Sequence, residues 1–317
     1  MIGLNELLGA TVYPCYYVAG CYLKWSTIAW LMTLVTFLPA FIGLLLSPES
    51  PVWLSKKGRV TDAYKVLSQL RCTEDETLQE LNVLTQDLQT DKSCCQLRNI
   101  CGSKSKLWAI TLSTLILVLK ELSGAAVLLT FMVSIFQKSE VGLTPCWSSV
   151  IGGVAQAICR MFSTFFIYRL PRKVVLVVGN VLIAVSTASL GTFFFLQRSG
   201  WDVNFLEWLP LASVVVFKLG FAGAVGSTSW VMATEVLPVS VRSLGISFGT
   251  SCYAATVVMV ILLYNDGEPQ LGLPGVFWGY AVGAVLNSMF IMKFCPETFG
   301  RTLSDIEEYW ESFRRSS

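Results

Sequence analysis

The chain has 317 residues, of which 54% are hydrophobic and only 14% charged, and its formal net charge is +2. A soluble domain of this size needs roughly 25% charged residues to cover its surface, so lipid must solvate much of this chain. The near-neutral balance is too small to argue for nucleic acid, and no nucleic-acid partner is expected. With no histidine, the His-dependent nucleophile arrangements and the commonest metal ligand are excluded.

A membrane span needs roughly 20 mainly apolar residues. In chain order such runs occupy Leu7–Leu23, Thr27–Leu46, Leu107–Phe136, Val150–Tyr168, Val174–Leu196, Leu209–Ala233, Leu244–Leu263 and Gly275–Phe294, about eight in all. The first is short and interrupted by Pro14. The residues before it carry no basic cluster and include Glu6, so no cleavable signal peptide is expected. Runs this long must be helices, because lipid tolerates only backbones whose hydrogen bonds close internally. An all-α membrane protein follows.

Pro48 to about Ser105 is the soluble-like segment. Val60, Ala63, Val66, Leu67 and Leu70 recur at helical spacing, which predicts a short amphipathic helix. Thr73 with Glu76 has capping-box spacing and predicts a second helix along Leu78, Leu81 and Leu88. From Thr90 to Ser105 no periodicity survives, and a flexible linker is expected. The ten cysteines are scattered, with no C-x-x-C, and do not read as a disulfide framework or a zinc site. Cys94, Cys95 and Cys101 lie in a polar stretch near a span, where palmitoylation is an option.

Charge asymmetry orients the spans. If the 48–105 segment is cytoplasmic, the opposite face holds only Lys24, Lys138 and Arg198. Lys120, Arg160 and Lys218 fall inside spans, and the rest of the 23 basic residues gather on the cytoplasmic side. Both termini are then cytoplasmic.

Three signatures lie on that side: Pro48-Glu49-Ser50-Pro51-Val52-Trp53-Leu54, the run Glu235-Val236-Leu237-Pro238-Val239-Ser240-Val241-Arg242, and Pro296-Glu297-Thr298-Phe299-Gly300-Arg301-Thr302-Leu303. Each ends a helix with proline and sets a charge at the membrane surface. Together they resemble the sugar porter family of the major facilitator superfamily, with wording most similar to arthropod facilitated trehalose transporter-like proteins. Arg169-Leu170-Pro171-Arg172-Lys173 stands where that family has its R-x-G-R-R loop. The resemblance implies a major facilitator fold, with these spans as helices 5 to 12 of the usual twelve. It divides the chain into the last two helices of the N-terminal bundle (1–47), a cytoplasmic helical linker (48–105), the C-terminal six-helix bundle (106–294) and a cytoplasmic tail (295–317).

The implied activity is facilitated transport of a sugar or related polar solute by alternating access, with a midplane site between two bundles that rock. Glu49, Arg169, Arg172, Glu235, Arg242, Glu297 and Arg301 would be cytoplasmic gate contacts, or plain topology anchors. The resemblance implies the plasma membrane, leaves proton coupling open, and calls for no cofactor, metal or catalytic residue.

Two departures from the family pattern bear on function. Helices 1 to 4 have no counterpart, so the chain is either part of a longer transporter or a truncated, non-transporting membrane protein with a sensing or regulatory role. The helix-seven motif Gln-Gln-x-Ser-Gly-x-Asn, whose amides meet sugar hydroxyls, reads Lys120-Glu121-Leu122-Ser123-Gly124-Ala125-Ala126 here. Lys120, Glu121, Ser123, Gln156, Trp230 and Tyr253 are therefore the substrate-cavity candidates, with only Trp230 unchanged at a sugar-contacting position. Charges at membrane depth cost roughly 2.5–3.5 kcal/mol each and face the bundle interior. Lys120 and Glu121 stand about 100° apart on a helix, so Arg160 is the expected partner of Glu121, while Lys218 is expected to snorkel. The cluster reads either as recognition of a charged or strongly polar solute or as a neutralised interhelical pair.

Overall fold

The computed structural model describes residues 12, 14–70, 77–81, 104–139, 145–167, 169–238 and 241–300. Among them every regular element is helical. The chain divides into two compact units, residues 1–23 with 104–317, and residues 24–103.

In the first unit, helix α1 covers 14–22. In the second, α2 (Trp25–Leu46) is apolar on every side and buries only Ile28. A helix without a polar face has no seam of its own and reads as lipid- or protein-embedded. Helices α3 (Pro51–Lys56) and α4 (Val60–Leu70) follow. The expected amphipathic helix is α4, and it buries Ala63 and Leu67 on one face. One further helical stretch covers 77–81. Thr73, Glu76, Leu88 and Cys94, Cys95 and Cys101 lie outside the described residues.

The larger unit continues with α5 (Lys104–Glu121), α6 (Ala125–Thr130), α7 (Met132–Ser139), α8 (Pro145–Ile167), α9 (Arg172–Arg198), α10 (Leu209–Gly220), α11 (Gly226–Glu235) and α12 (Arg242–Phe294). Helix α9 shows how its core assembles. Leu176, Gly179, Asn180, Ile183, Thr187, Leu190 and Phe194 are all buried and recur every three or four residues, a seam along one face. Phe194 stacks on Phe277 with ring centroids 5.8 Å apart. In the same interface Asn287 donates its amide to Asn180 Oδ1 at 3.0 Å, tying α12 to α9 by a buried polar link.

Four spans depart from the expected rods. The third, expected as Leu107–Phe136, is cut into α5, α6 and α7 by breaks at 122–124 and at Phe131. The sixth reaches Glu235 with a π-helical turn, Phe221–Val225, between α10 and α11. The last two spans run on as α12, long enough to cross a bilayer twice and broken at Gly272, which sits in a non-helical conformation (φ 73°, ψ 167°). Both prolines inside it, Pro269 and Pro274, flank that break.

The scattered cysteines are also corrected in part. Cys21 on α1 and Cys146 at the start of α8 form a disulfide, with Cα atoms 5.8 Å apart. Spacing alone could not reveal it, since 125 residues separate the two.

Candidate functional site

The break at 122–124 builds the site. Gly124 adopts a left-handed backbone (φ 80°) that a residue with a Cβ reaches only at a cost, and its neighbour Tyr280 fills the space a Cβ would need. Ser123 Oγ donates to the Lys120 carbonyl at 2.5 Å, and the Gly124 N–H donates to the Glu121 carbonyl at 3.0 Å. Side chain and turn thus satisfy carbonyls left over where α5 stops. From α12, Gly283 admits the broken strand of backbone: a Cβ there would stand 2.5 Å from the Leu122 carbonyl oxygen.

Lys120 and Glu121 close α5, and both are only 2% exposed. The Lys120 ammonium lies 4.7 Å from the ring centre of Trp230 and 4.8 Å from that of Tyr253. Those two rings meet edge to face, 5.3 Å apart. A desolvated ammonium over aromatic faces gains about 2 kcal/mol, which offsets much of the cost of placing it at this depth. Glu121 Oε1 stands 3.9 Å from the same ammonium. The side chains bend toward each other although their Cα–Cβ bonds diverge, so the neighbours form an ion pair that helical geometry had argued against.

Trp230 sits on α11, immediately beyond the π turn. Such a turn inserts one extra residue per cycle and re-aims every side chain after it. Nothing in the sequence pattern signals it.

A second buried pair lies between α8 and α10. Lys218 donates to Gln156 Oε1 at 2.7 Å, and the two residues are 0% and 1% exposed. Lys218 therefore does not snorkel. It stands about 14 Å along the axis from the start of α10, beyond the reach of a lysine stem. Sequence reasoning assigned Gln156 to the cavity but missed its partner. Arg160 lies one turn beyond Gln156 on α8.

At one end of the larger unit a different charged group assembles. Arg172 Nη1 pairs with Glu235 Oε1 at 2.5 Å. Glu297 accepts the backbone N–H groups of Arg172 and Lys173 at 3.1 and 3.2 Å, so its carboxylate caps the start of α9. Lys173, which the sequence did not single out as a site residue, donates from Nζ to the Cys295 carbonyl at 3.1 Å. Arg242 donates to the Leu237 carbonyl at 3.1 Å, a local bond. Arg169 is exposed in the turn before α9, and Glu49 is exposed after α2 in the other unit. Arg301 lies outside the described residues. The structure thus brings Arg172, Glu235 and Glu297 together.

The opposite end carries Lys138 paired with Glu268, and Gln197 donating to the Lys138 carbonyl at 3.4 Å.

Long apolar helices, a span broken at a glycine and enclosed charges are those of a polytopic helical membrane protein, and solved structures identify its fold as the major facilitator fold. Solved structures of that fold superpose well. The proton:xylose symporter XylE bound to 6-bromo-6-deoxy-D-glucose gives a TM-score of 0.73 at 22% identity, covering 98% of this chain and 66% of that one. A double-tryptophan XylE variant gives 0.74 at 23% identity, over 96% and 65%. The model of the "Sugar (and other) transporter" family matches residues 13–310, and the chain belongs to that family. Among curated relatives, the facilitated trehalose transporter Tret1 of Polypedilum vanderplanki is 30% identical over 299 residues, 92% of this chain and 58% of its own length. Tret1 of Bombyx mori is 30% identical over 305 residues, 96% of this chain and 60% of its own length. The chain therefore spans little more than half the length of these relatives.

Proposed function

We propose that this chain carries the C-terminal bundle, and the two helices preceding it, of a transporter that moves a sugar or sugar-like polar solute by alternating access. The observation that carries this reading is the match to the sugar transporter family across residues 13–310, combined with a broken helix that sets Lys120 and Glu121 against Trp230 and Tyr253. Helix breaks at membrane depth occur where backbone lines a cavity or is buried in protein, and transporters place their solute sites there. On this reading Lys120, Glu121, Ser123, Trp230 and Tyr253 face the solute, with Gln156 and Lys218 supporting them. Arg172, Glu235 and Glu297 belong to a cytoplasmic gate, in a plasma-membrane protein with both termini inside.

The test is uptake of radiolabelled trehalose, glucose and glucuronate by the full-length gene product in proteoliposomes, with and without a pH gradient to score proton coupling. Saturable uptake of at least one solute is expected. The double variant Lys120→Gln/Glu121→Gln, which restores the family's amides, is expected to shift preference toward neutral hexoses by tenfold or more. Unchanged preference would assign the charged pair to packing alone. Folded protein that takes up none of the three would sink the proposal.

A further inference from the structure

The outward end of α1 meets α8 along a seam of its own. Cys21, Tyr17 and Pro14 lie at i, i−4 and i−7 on one face of α1. Cys146 and Gly153, two turns apart, lie on one face of α8. The disulfide joins the first residues of each set, and a Cβ at Gly153 would stand 2.7 Å from the Tyr17 ring and 3.5 Å from Pro14 Cα. The two helices are therefore antiparallel and packed to backbone distance below the bond. The seam sits at the end of the molecule where α7 finishes and α8 begins, the end that also holds Lys138 and Glu268. By charge asymmetry this is the non-cytoplasmic face, where disulfides persist.

We infer that Cys21–Cys146 is a reversible redox modification site that clamps the outer end of the solute path shut. The inference rests on the proposed transporter reading, which assigns α1 to the N-terminal bundle and α8 to the C-terminal one, although the two pack within one compact unit in this structure. A disulfide cannot bridge Cα atoms much more than about 7 Å apart, so the halves cannot part at this seam while the bond stands. Release needs two external thiols. The thiolate of the first attacks one protein sulfur and expels the other as a thiolate. The second thiol resolves the mixed disulfide, leaving two protein thiols and one small-molecule disulfide. An exterior rich in small-molecule disulfide favours the clamped form, by the same two exchanges run backwards with that disulfide reduced to two thiols, and a thiol-rich one favours the released form. Gly153 adds the close packing that returns the two sulfurs to bonding range after release.

The experiment uses the full-length protein in sealed proteoliposomes, with 2-mercaptoethanesulfonate, a charged thiol that does not cross bilayers, added outside. Reduction is followed by peptide mapping. Two readouts run in parallel: solute uptake, and labelling of an Ala126→Cys reporter by an impermeant maleimide, resolved peptide by peptide. Reduction is expected to raise both at least fivefold, and Cys146→Ser is expected to be fast from the outset and insensitive to the thiol. Cys21→Ser should match it. The proposal is overturned if peptide maps of untreated protein show Cys21 and Cys146 as free thiols. It is equally overturned if complete reduction leaves reporter labelling unchanged. Accelerated labelling without uptake of any solute keeps the clamp and counts against the transport reading instead.

Discussion

Two of the charged groups among the described residues of the larger unit are kept by opposite means. At one end of the larger unit, Arg172 meets the Glu235 carboxylate while Glu297 caps α9 through backbone N–H groups, all of them only partly buried. At depth, Lys218 is enclosed with an amide oxygen as its partner, and Lys120 rests on two aromatic rings with a carboxylate at 3.9 Å. Near water, ion pairing is cheap and weak. Away from water a charge must be matched on every side, and the molecule uses dipoles and π faces to do it. The lesson is that the depth cluster is held by partners that sequence-level charge counting overlooks.

The sharpest way to break that contrast is at Gln156. Gln156→Leu leaves the Lys218 ammonium buried with its acceptor gone, and a loss of about 3–5 kcal/mol is expected. Lys218→Met removes the charge itself and is expected to cost no more than about 1–3 kcal/mol, the penalty of an unpaired amide. Thermal denaturation in detergent, followed by fluorescence size-exclusion, measures both. Equal losses would mean the pair is packing rather than an enclosed charge.

The aromatic support comes next in size. Trp230→Leu is expected to cost about 2 kcal/mol in the native background and much less when Lys120 is already methionine. A double-mutant cycle reads that coupling directly. Additive losses would show that the ring and the ammonium are merely adjacent.

The smallest effects belong to partly buried and exposed charges. Glu297→Gln is expected to destabilise by about 1 kcal/mol, fading as salt rises, because the helix-end interaction is screened. Arg59→Ala, which removes the exposed pair with Asp62, is expected to change stability by under about 0.5 kcal/mol. A salt-insensitive Glu297 effect would move that residue into the class of Lys218.

Much of the architecture is legible in the residues themselves. Lipid leaves the backbone one choice, so a run such as Trp25–Leu46 is a helix wherever it packs, whereas the break at Ser123-Gly124 falls inside a run that reads as one continuous span. Composition also shows which charges are stranded at depth. Their partners are another matter. Lys218 finds Gln156 across 62 residues, and Lys120 finds Trp230 and Tyr253 from two other helices. The π turn that aims Trp230 is not legible, because the run on either side of it has no clear polar face against which a phase shift of about 100° could be read.

The sequence by itself determined that this is a helical membrane protein of the sugar transporter family, because hydropathy and terminal motifs act locally and each residue reports its own solvent. Only the tertiary structure decided how the buried charges are met and that Cys21 and Cys146 come together. Those outcomes depend on which faces meet across α1, α8, α10, α11 and α12, and contact between helices distant in sequence is set by packing of whole surfaces rather than by any local run of residues.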